Sequence, residues 1–589
     1  MPKIWSMVPD CTKQANALAH AARIPATIAA LLVARSVTTP EQVKAFLEPR
    51  LTDLRPPEEL PGCQRVAERL NAALREKKKT TVYGDYDVDG ITGVAILYLT
   101  LRDLGADVDY YVPSRLDEGY GLHSEAIRSL AKAGTQVLIT VDCGISSIAE
   151  AVLAKELGVE LLITDHHNPG PVLPDAVAIA HPQLEENGEK YPFPHLCGSM
   201  VAFKVAWMLG KLVSNASNVT PAYRRRLQEM VGLAVLGTVA DYVPLLDENR
   251  MLVHAGLQYL HPEYASVGLQ ELLTVSGFVD GKRRLDEEFV AFQLAPRLNA
   301  AGRLGQAGLA VELLIDDDRT KSKSIAETID LQNLKRKELE KKIFKEAEIQ
   351  VDASPDDAAY VLEGDWHKGV IGIVAGRLVE KYHKPFILLA KDKMGLAPAV
   401  GSGRSIPGFN LYQALDACDQ AGLLVRFGGH DAAAGLTVET RHIAAFRKAF
   451  RDYTENNISP EQRTAELFLD GNFPLAVYVR TNENGELVPS KMVAMLARLA
   501  PFGNGNKRPI FEAHGVTLEN PKPMGKDESH FSANFRQGGT VLRGIAFSRK
   551  EWFEDMKPYD VPFDIAFRPR ISDFNGRVEL EIIDFRRRS

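Results

Sequence analysis

Between residues 79 and 182 short apolar runs alternate with amphipathic stretches, the pattern of repeated βαβ units around a mostly parallel sheet. The runs at 80–84, 108–112, 136–141, 160–164 and 176–180 predict strands, and helical spacing at 90–104, 124–133 and 146–157 predicts the helices between them. From about 198 to 315 the apolar spacing is mainly helical. Residues 319–351 then predict one charge-rich connector helix, whose Lys and Arg read as a solvated face without a catalytic role. A second α/β pattern begins at Ala358, with AAYVLEGDW as a strand and GVIGIVAGRLVEKY as a helix, and ends near Tyr453. Beyond Glu455, short strands with Gly and Asn turns predict a small β-barrel. The expected class is α/β. It divides into a helical N-terminal extension (1–55), a mostly parallel sheet domain (56–318), a connector helix (319–352), a second α/β domain (353–455) and a C-terminal barrel (456–589).

A chain of 589 residues is too long for one core and supports three or four domains. Its net charge of −7 argues against a protein that coats nucleic acid non-specifically, although an enzyme that gathers carboxylates around metal ions can be acidic and still line a groove with Arg and Lys. The start lacks the basic-then-apolar order of a secretory signal, and no run of about 18 apolar residues is free of charge, so a cytoplasmic protein is expected. Five scattered cysteines form no CxxC pair and read as reduced packing residues.

Candidate chemistry lies where the predicted strands end. Asp85, Asp87 and Asp89 in GDYDVDG, Asp142 in VDCG, and Asp165-His166-His167 in TDHH each follow a strand, and in a parallel sheet those ends share one edge. A lone Asp there is more often a helix cap, and a lone His more often packs. So many carboxylates in one crevice, however, cannot all ionise without a cation. Asp and His ligands without cysteine suit Mn²⁺ or Mg²⁺, with enough donors for two ions about 4 Å apart that activate water and neutralise a phosphate. Asp241, in GTVADYVPL after an apolar helical run, is a candidate further ligand. A phosphoryl-accepting aspartate is the alternative, and the paired histidines argue against it.

These four clusters, in this order, resemble the motifs of the DHH phosphoesterase superfamily. The resemblance extends to PSRLDEGYGLH (113–123), APRLNAAGRLG (295–305), and Asn333, Arg336 and Glu340 of the connector. WHKGVIGIVAGRL (366–378), GSGRS (401–405) and FGGHDAAAG (427–435) are similar to the accessory DHHA1 domain, and LAPFGNGN (499–506) opens a region similar to an OB-fold. The resemblance implies a metal-dependent phosphodiesterase, a single-strand-specific 5′-to-3′ DNA exonuclease of recombination and repair. Asp87, Asp89, Asp142, His166, Asp241 and Asp85 are the implied ligands, and Asp165 and His167 complete or orient the shell. Arg115, Arg297, Asn299, Arg303, Ser402, Gly403, Arg404 and His430 are the implied grip on single-stranded DNA. A single-strand-binding protein and a RecQ-type helicase are the implied partners. His181-Pro182-Gln183, Ser199-Met200 and Ser572-Asp573 depart from the family's usual residues, at positions not expected to touch a metal ligand. A small-substrate relative, a metal-free scaffold and an RNA substrate stand as alternatives.

Overall fold

The computed structural model describes residues 3–8, 11–116, 118–215, 218–278, 284–392, 397–525, 528–573 and 575–587; Asp117 of the 113–123 loop lies outside them. Five parallel strands lie side by side in the order Val108–Tyr111, Thr80–Gly84, Val137–Val141, Glu160–Thr164, Ala178–Ala180. The central ones are buried along their length because helices cover both faces. Alternation along each strand sends Val82, Ile139 and Leu162 into the main core, and Tyr83, Leu138 and Ile163 against helices Ser124–Lys132 and Ile148–Glu156. The last strand is shorter than its apolar run because the Ala176 N–H closes a tight turn onto the Pro174 carbonyl. Helix Val88–Asp103 is apolar on nearly every side and is enclosed by helices Gly198–Ser214 and Pro221–Ala240.

The connector is a single helix, Arg319–Asp352, capped by the Asp318 carboxylate. Its charged face is not all solvated. Buried Arg336 donates to Asn333 at 2.6 Å and Glu340 at 2.7 Å, and Arg377 of the second domain donates to Glu340 at 2.6 Å. That domain is a five-stranded mixed sheet with helix Ile371–Tyr382 between the parallel strands Tyr360–Gly364 and Phe386–Ala390. The barrel closes where Phe511–Met524 pairs with both His530–Gln537 and Phe563–Ile571.

The first 55 residues do not stand apart as an extension. Ile4–Met7 runs parallel to Glu466–Leu469, and Leu18, Ile28, Leu32 and Phe46 share one core with barrel residues Phe511, Phe535 and Phe563. Helix Ala26–Val33, almost entirely apolar, requires such a cover. The Arg250 guanidinium locks this assembly to the sheet domain: it lies 3.7 Å over the Phe46 ring and donates to the carbonyls of Phe46, Leu499 and Ala500 at 2.8–3.0 Å. All five cysteines are unpaired. Among the described residues no single helix is long and apolar enough to cross a membrane.

Candidate metal centre and nucleic-acid cleft

Four parallel strands hand over to polar residues at one sheet edge: Asp85 after Gly84, Asp142 after Val141, Asp165 after Thr164 and His181 after Ala180. Asp87 caps the buried helix through the N–H groups of Asp89 and Gly90, and Asp89 stands in its first turn. Asp241 arrives as the C-cap of helix Pro221–Ala240. Side chains from across the domain thus converge, and their donor atoms form three overlapping sets: Asp85, Asp87 and Asp142; Asp89, His166 and Asp241; Asp142, His166 and His167. His166 Nε2 lies 3.0 Å from Asp142, 3.6 Å from Asp241 and 3.9 Å from Asp89.

The donor chemistry fits divalent ions. Asp85 Oδ1, Asp142 Oδ1 and His166 Nε2 are buried with no hydrogen-bond partner, a costly state that a cation relieves. Burial and then neighbouring carboxylates push Asp85, Asp87 and Asp142 above the ordinary carboxylate range, and the same causes, Asp89 first among the neighbours, raise Asp241 to about 9. Burial lowers the pKa of the His166 imidazole, which favours the neutral form in which it ligates. Asp142 also has φ of +61°, a left-handed conformation that bends the chain sharply at the strand end.

Asp165 belongs to a different class. It accepts from the N–H groups of Ile145, His166 and His167 and from His167 Nδ1, at 2.7–3.2 Å. Burial opposes its charge, but the His167 bond and these N–H donors outweigh burial and hold it at about 2. Asp165 therefore orients the histidine pair. Tyr120, from the 113–123 loop, places its hydroxyl 3.0 Å from His167 Nδ1.

Two of the three segments that depart from the family pattern, 181–183 and 199–200, lie closer to the ligands than expected. The N–H groups of Gly198 and Ser199, at the start of their helix, hold the Asp89 carboxylate at 2.5 and 2.9 Å. His181 Nε2 meets the His167 carbonyl at 2.8 Å, and the Gln183 amide donates to the His166 carbonyl. Gly237 must be glycine, since a Cβ there would lie 2.1 Å from Ser199 Oγ and 2.6 Å from Asp89 Oδ1. Sequence reasoning missed Gly198 and placed Ser199 and His181 away from the ligands; Gly237 opens the GTVAD motif but was given no role, and only His181, directly after a predicted strand, carried a positional signal.

Facing the acids is a group of guanidiniums. Burial, then repulsion from Arg115, Arg336 and Arg404, lowers Arg303 to about 9, and burial with Arg115 lowers Arg404. Arg115 lies over the Tyr86 ring between two metal-motif aspartates. Arg404 Nη1 is 3.3 Å from Ser402 Oγ, beside Gly372 in the first turn of its helix. Among the described residues Arg115, Arg303 and Arg404 form no ion pair, so an incoming anion meets uncompensated positive charge.

Two expected DNA contacts fall elsewhere. Arg297 points inward: it pairs with Asp330 at 2.8 Å and donates to the Gln293 and Val275 carbonyls, fastening helix Ala295–Arg303 to the connector. It has no free donor face for a strand and leaves the DNA-binding set. His430 is exposed at a hairpin turn beside Asp431, in the loop whose Ala432 carbonyl accepts from Ser405; no contact joins it to the acids. Asn299 instead lines a cleft of about 360 Å³ with Arg303, Arg336 and Tyr242. That cleft continues past Phe292 into one of about 510 Å³ between sheet domain and barrel, lined by Phe468, Phe502, Arg508 and Arg568. Tyr242, Phe292 and Phe468 are strongly exposed aromatics, whereas Phe531 and Phe535 are core.

Three regions of the chain match known domain families: residues 79–238 the DHH family N-terminal domain, 356–456 the DHHA1 domain and 486–584 the RecJ OB domain. The chain is 36% identical to the single-stranded-DNA-specific exonuclease RecJ of Bacillus subtilis, over 98% of this chain and 70% of that protein. It is 33% identical to RecJ of Escherichia coli, over 95% of this chain and 96% of that protein. In three dimensions it is similar to Thermus thermophilus RecJ in complex with Mn²⁺, with a TM-score of 0.79 and 30% identity over 100% of this chain and 79% of that one.

Proposed function

The chain belongs to the RecJ family of single-stranded-DNA-specific exonucleases, and we propose that it degrades single-stranded DNA from the 5′ end, releasing 5′-mononucleotides in recombination and repair. The observation that carries this reading is the opposition of orphaned, buried ligand atoms on the sheet edge to unpaired guanidiniums across the cleft.

Asp85, Asp87, Asp89, Asp142, His166 and Asp241 would hold Mn²⁺ or Mg²⁺, with His167 within reach. When bound, such ions supply the Lewis acidity that acidifies the attacking water and neutralises the scissile phosphate. The protein supplies the rest. Asp165 fixes the His167 tautomer by accepting from Nδ1, and Tyr120 limits the swing of that ring. Arg404, Ser402 and Arg303, beside the N-terminus of helix Ile371–Tyr382, bind the terminal 5′ phosphate, which sets the direction of digestion. Asn299 and Arg115 orient the first linkage. Bases leaving the site stack on Tyr242, Phe292 and Phe468 while Arg508 and Arg568 follow the backbone toward the barrel. Access by unpaired bases to these aromatic faces accounts for single-strand preference. A single-strand-binding protein and a RecQ-type helicase are the partners that would present such a strand, in the cytoplasm.

The test is Mn²⁺-dependent digestion of a long single-stranded DNA labelled at either end, with duplex and RNA controls and an Asp87→Ala variant. Release of the 5′ label as a mononucleotide, lost in the variant, supports the reading; tight binding without cleavage overturns it.

A further inference from the structure

Metal-ligating side chains also converge in the barrel. Along Phe511–Met524, Phe511 and Ala513 enter the core, so the alternating residues Glu512 and His514 face outward. The partner strand Phe563–Ile571 follows the same rule, with Phe563 and Ile565 inside and Asp564 outside. Pairing between the strands is interrupted between Ala513 and Val516, where Gly515 adopts φ of +65°. The Gly515 N–H donates to Asp564 Oδ1 at 3.0 Å, which turns Oδ2 toward His514.

We propose that Glu512, His514 and Asp564 form a binding site for a zinc-like transition-metal dication that ties these two barrel strands together. His514 Nδ1 lies 3.1 Å from Asp564 Oδ2 and 3.5 Å from Glu512 Oε1, and one donor atom from each residue lies within 4.8 Å of the others. Ligands bound at about 2.05 Å in a tetrahedron stand roughly 3.3 Å apart, so the two nitrogen–oxygen separations bracket the value a cation demands. An imidazolium bridging two acids would aim its N–H at one of them. Instead Nδ1 is shielded from solvent and makes no hydrogen bond of acceptable geometry.

The surroundings hold the ligands in place. The His514 carbonyl accepts from the Gln537 amide at 2.7 Å, anchoring the backbone beside the bulge. Arg586, paired in register with Asp564, lies 4.3 Å over the Trp5 ring and donates to the Lys3 carbonyl. One imidazole and two carboxylates, with a fourth position open to water, favour Zn²⁺ or Co²⁺ over Mg²⁺, which requires more oxygen ligands.

The experiment uses the full chain with the catalytic centre disabled by Asp142→Asn and His166→Ala. After dialysis against Co²⁺, metal analysis should find one retained ion per chain with the visible absorption of four-coordinate cobalt. Adding His514→Ala should abolish that ion, and the near-isosteric Glu512→Gln should weaken it at least tenfold. Circular dichroism, and unchanged Mn²⁺-dependent nuclease activity of His514→Ala alone, exclude misfolding as the cause. A parent that retains no cobalt, or an ion indifferent to both substitutions, overturns the proposal.

Discussion

The acid wall of the cleft and the arginine wall opposite it are built from the same ingredient, buried like charge, in opposite senses. On the sheet edge Asp85, Asp87, Asp142 and Asp241 are raised by burial and mutual repulsion; across the cleft Arg303 and Arg404 are lowered by the same two causes. Neither wall neutralises the other by direct ion pairs among the described residues. The difference lies in what would complete each under the proposed function: cations for the acids, a phosphate for the guanidiniums. Elsewhere in the same chain buried charge is satisfied internally, as where Lys204 donates to Glu248 at 2.8 Å. The unsatisfied walls are therefore features of the cleft rather than a general looseness in the fold.

The largest effect is expected on the acid side. Asp142→Asn should lower Mn²⁺-dependent exonuclease activity by about a thousandfold or more while raising, not lowering, the melting temperature of the metal-free chain, since it removes repulsion. A variant that is inactive because it unfolds earlier contradicts the argument. On the arginine side, Arg404→Ala should cost about 100-fold in kcat/KM on a 5′-phosphorylated strand. The deficit should nearly vanish on a 5′-hydroxyl strand, measured by initial rates on the two oligonucleotides; equal losses on both would remove the terminal phosphate from this pocket.

Phe292→Ala tests the exit from the site. Loss of one stacked base is worth about 1–3 kcal/mol, so binding of a strand long enough to reach the cleft should weaken about tenfold or more, with a dinucleotide unaffected. Fluorescence anisotropy on both lengths separates this from a general defect.

Metal-free stability should carry the signature of the acids. Each raised carboxyl favours the folded chain below its unfolded pKa of about 4 and withdraws that support as pH rises through its folded value, which for Asp241 is about 9. The melting temperature of chelator-treated protein should therefore fall by some degrees across that window, and Mn²⁺ should suppress the fall. Asp165 has the opposite sign but, held at about 2, is fully ionised throughout. A flat metal-free profile would mean that the acids are already neutralised within the protein. The smallest effect on catalysis is expected of Arg297→Gln, which should reduce stability by about 1–3 kcal/mol in denaturant titration and leave KM for DNA unchanged; a raised KM would return Arg297 to the cleft.

Much of the fold and of the candidate metal centre was legible along the chain because the relevant forces act locally. Apolar runs separated by amphipathic stretches can bury their surface only as covered parallel strands, and such strands must release their following residues at one edge. Asp85, Asp142 and Asp165-His166-His167 were placed by that rule alone. Arginine carries no such signal: Arg297 and Arg303 occupy one short helix, and only packing turned the first onto Asp330 and left the second in the cleft. Tyr242, Phe292 and Phe468 were indistinguishable from core aromatics until the barrel, the sheet domain and the N-terminal strand came together and left them uncovered. The sequence alone determined which residues could pair, ligate or pack, because these are properties of side-chain chemistry and spacing. Which of them were left unpaired was decided only by the tertiary structure, since desolvation and partnership depend on every element that closes over a site.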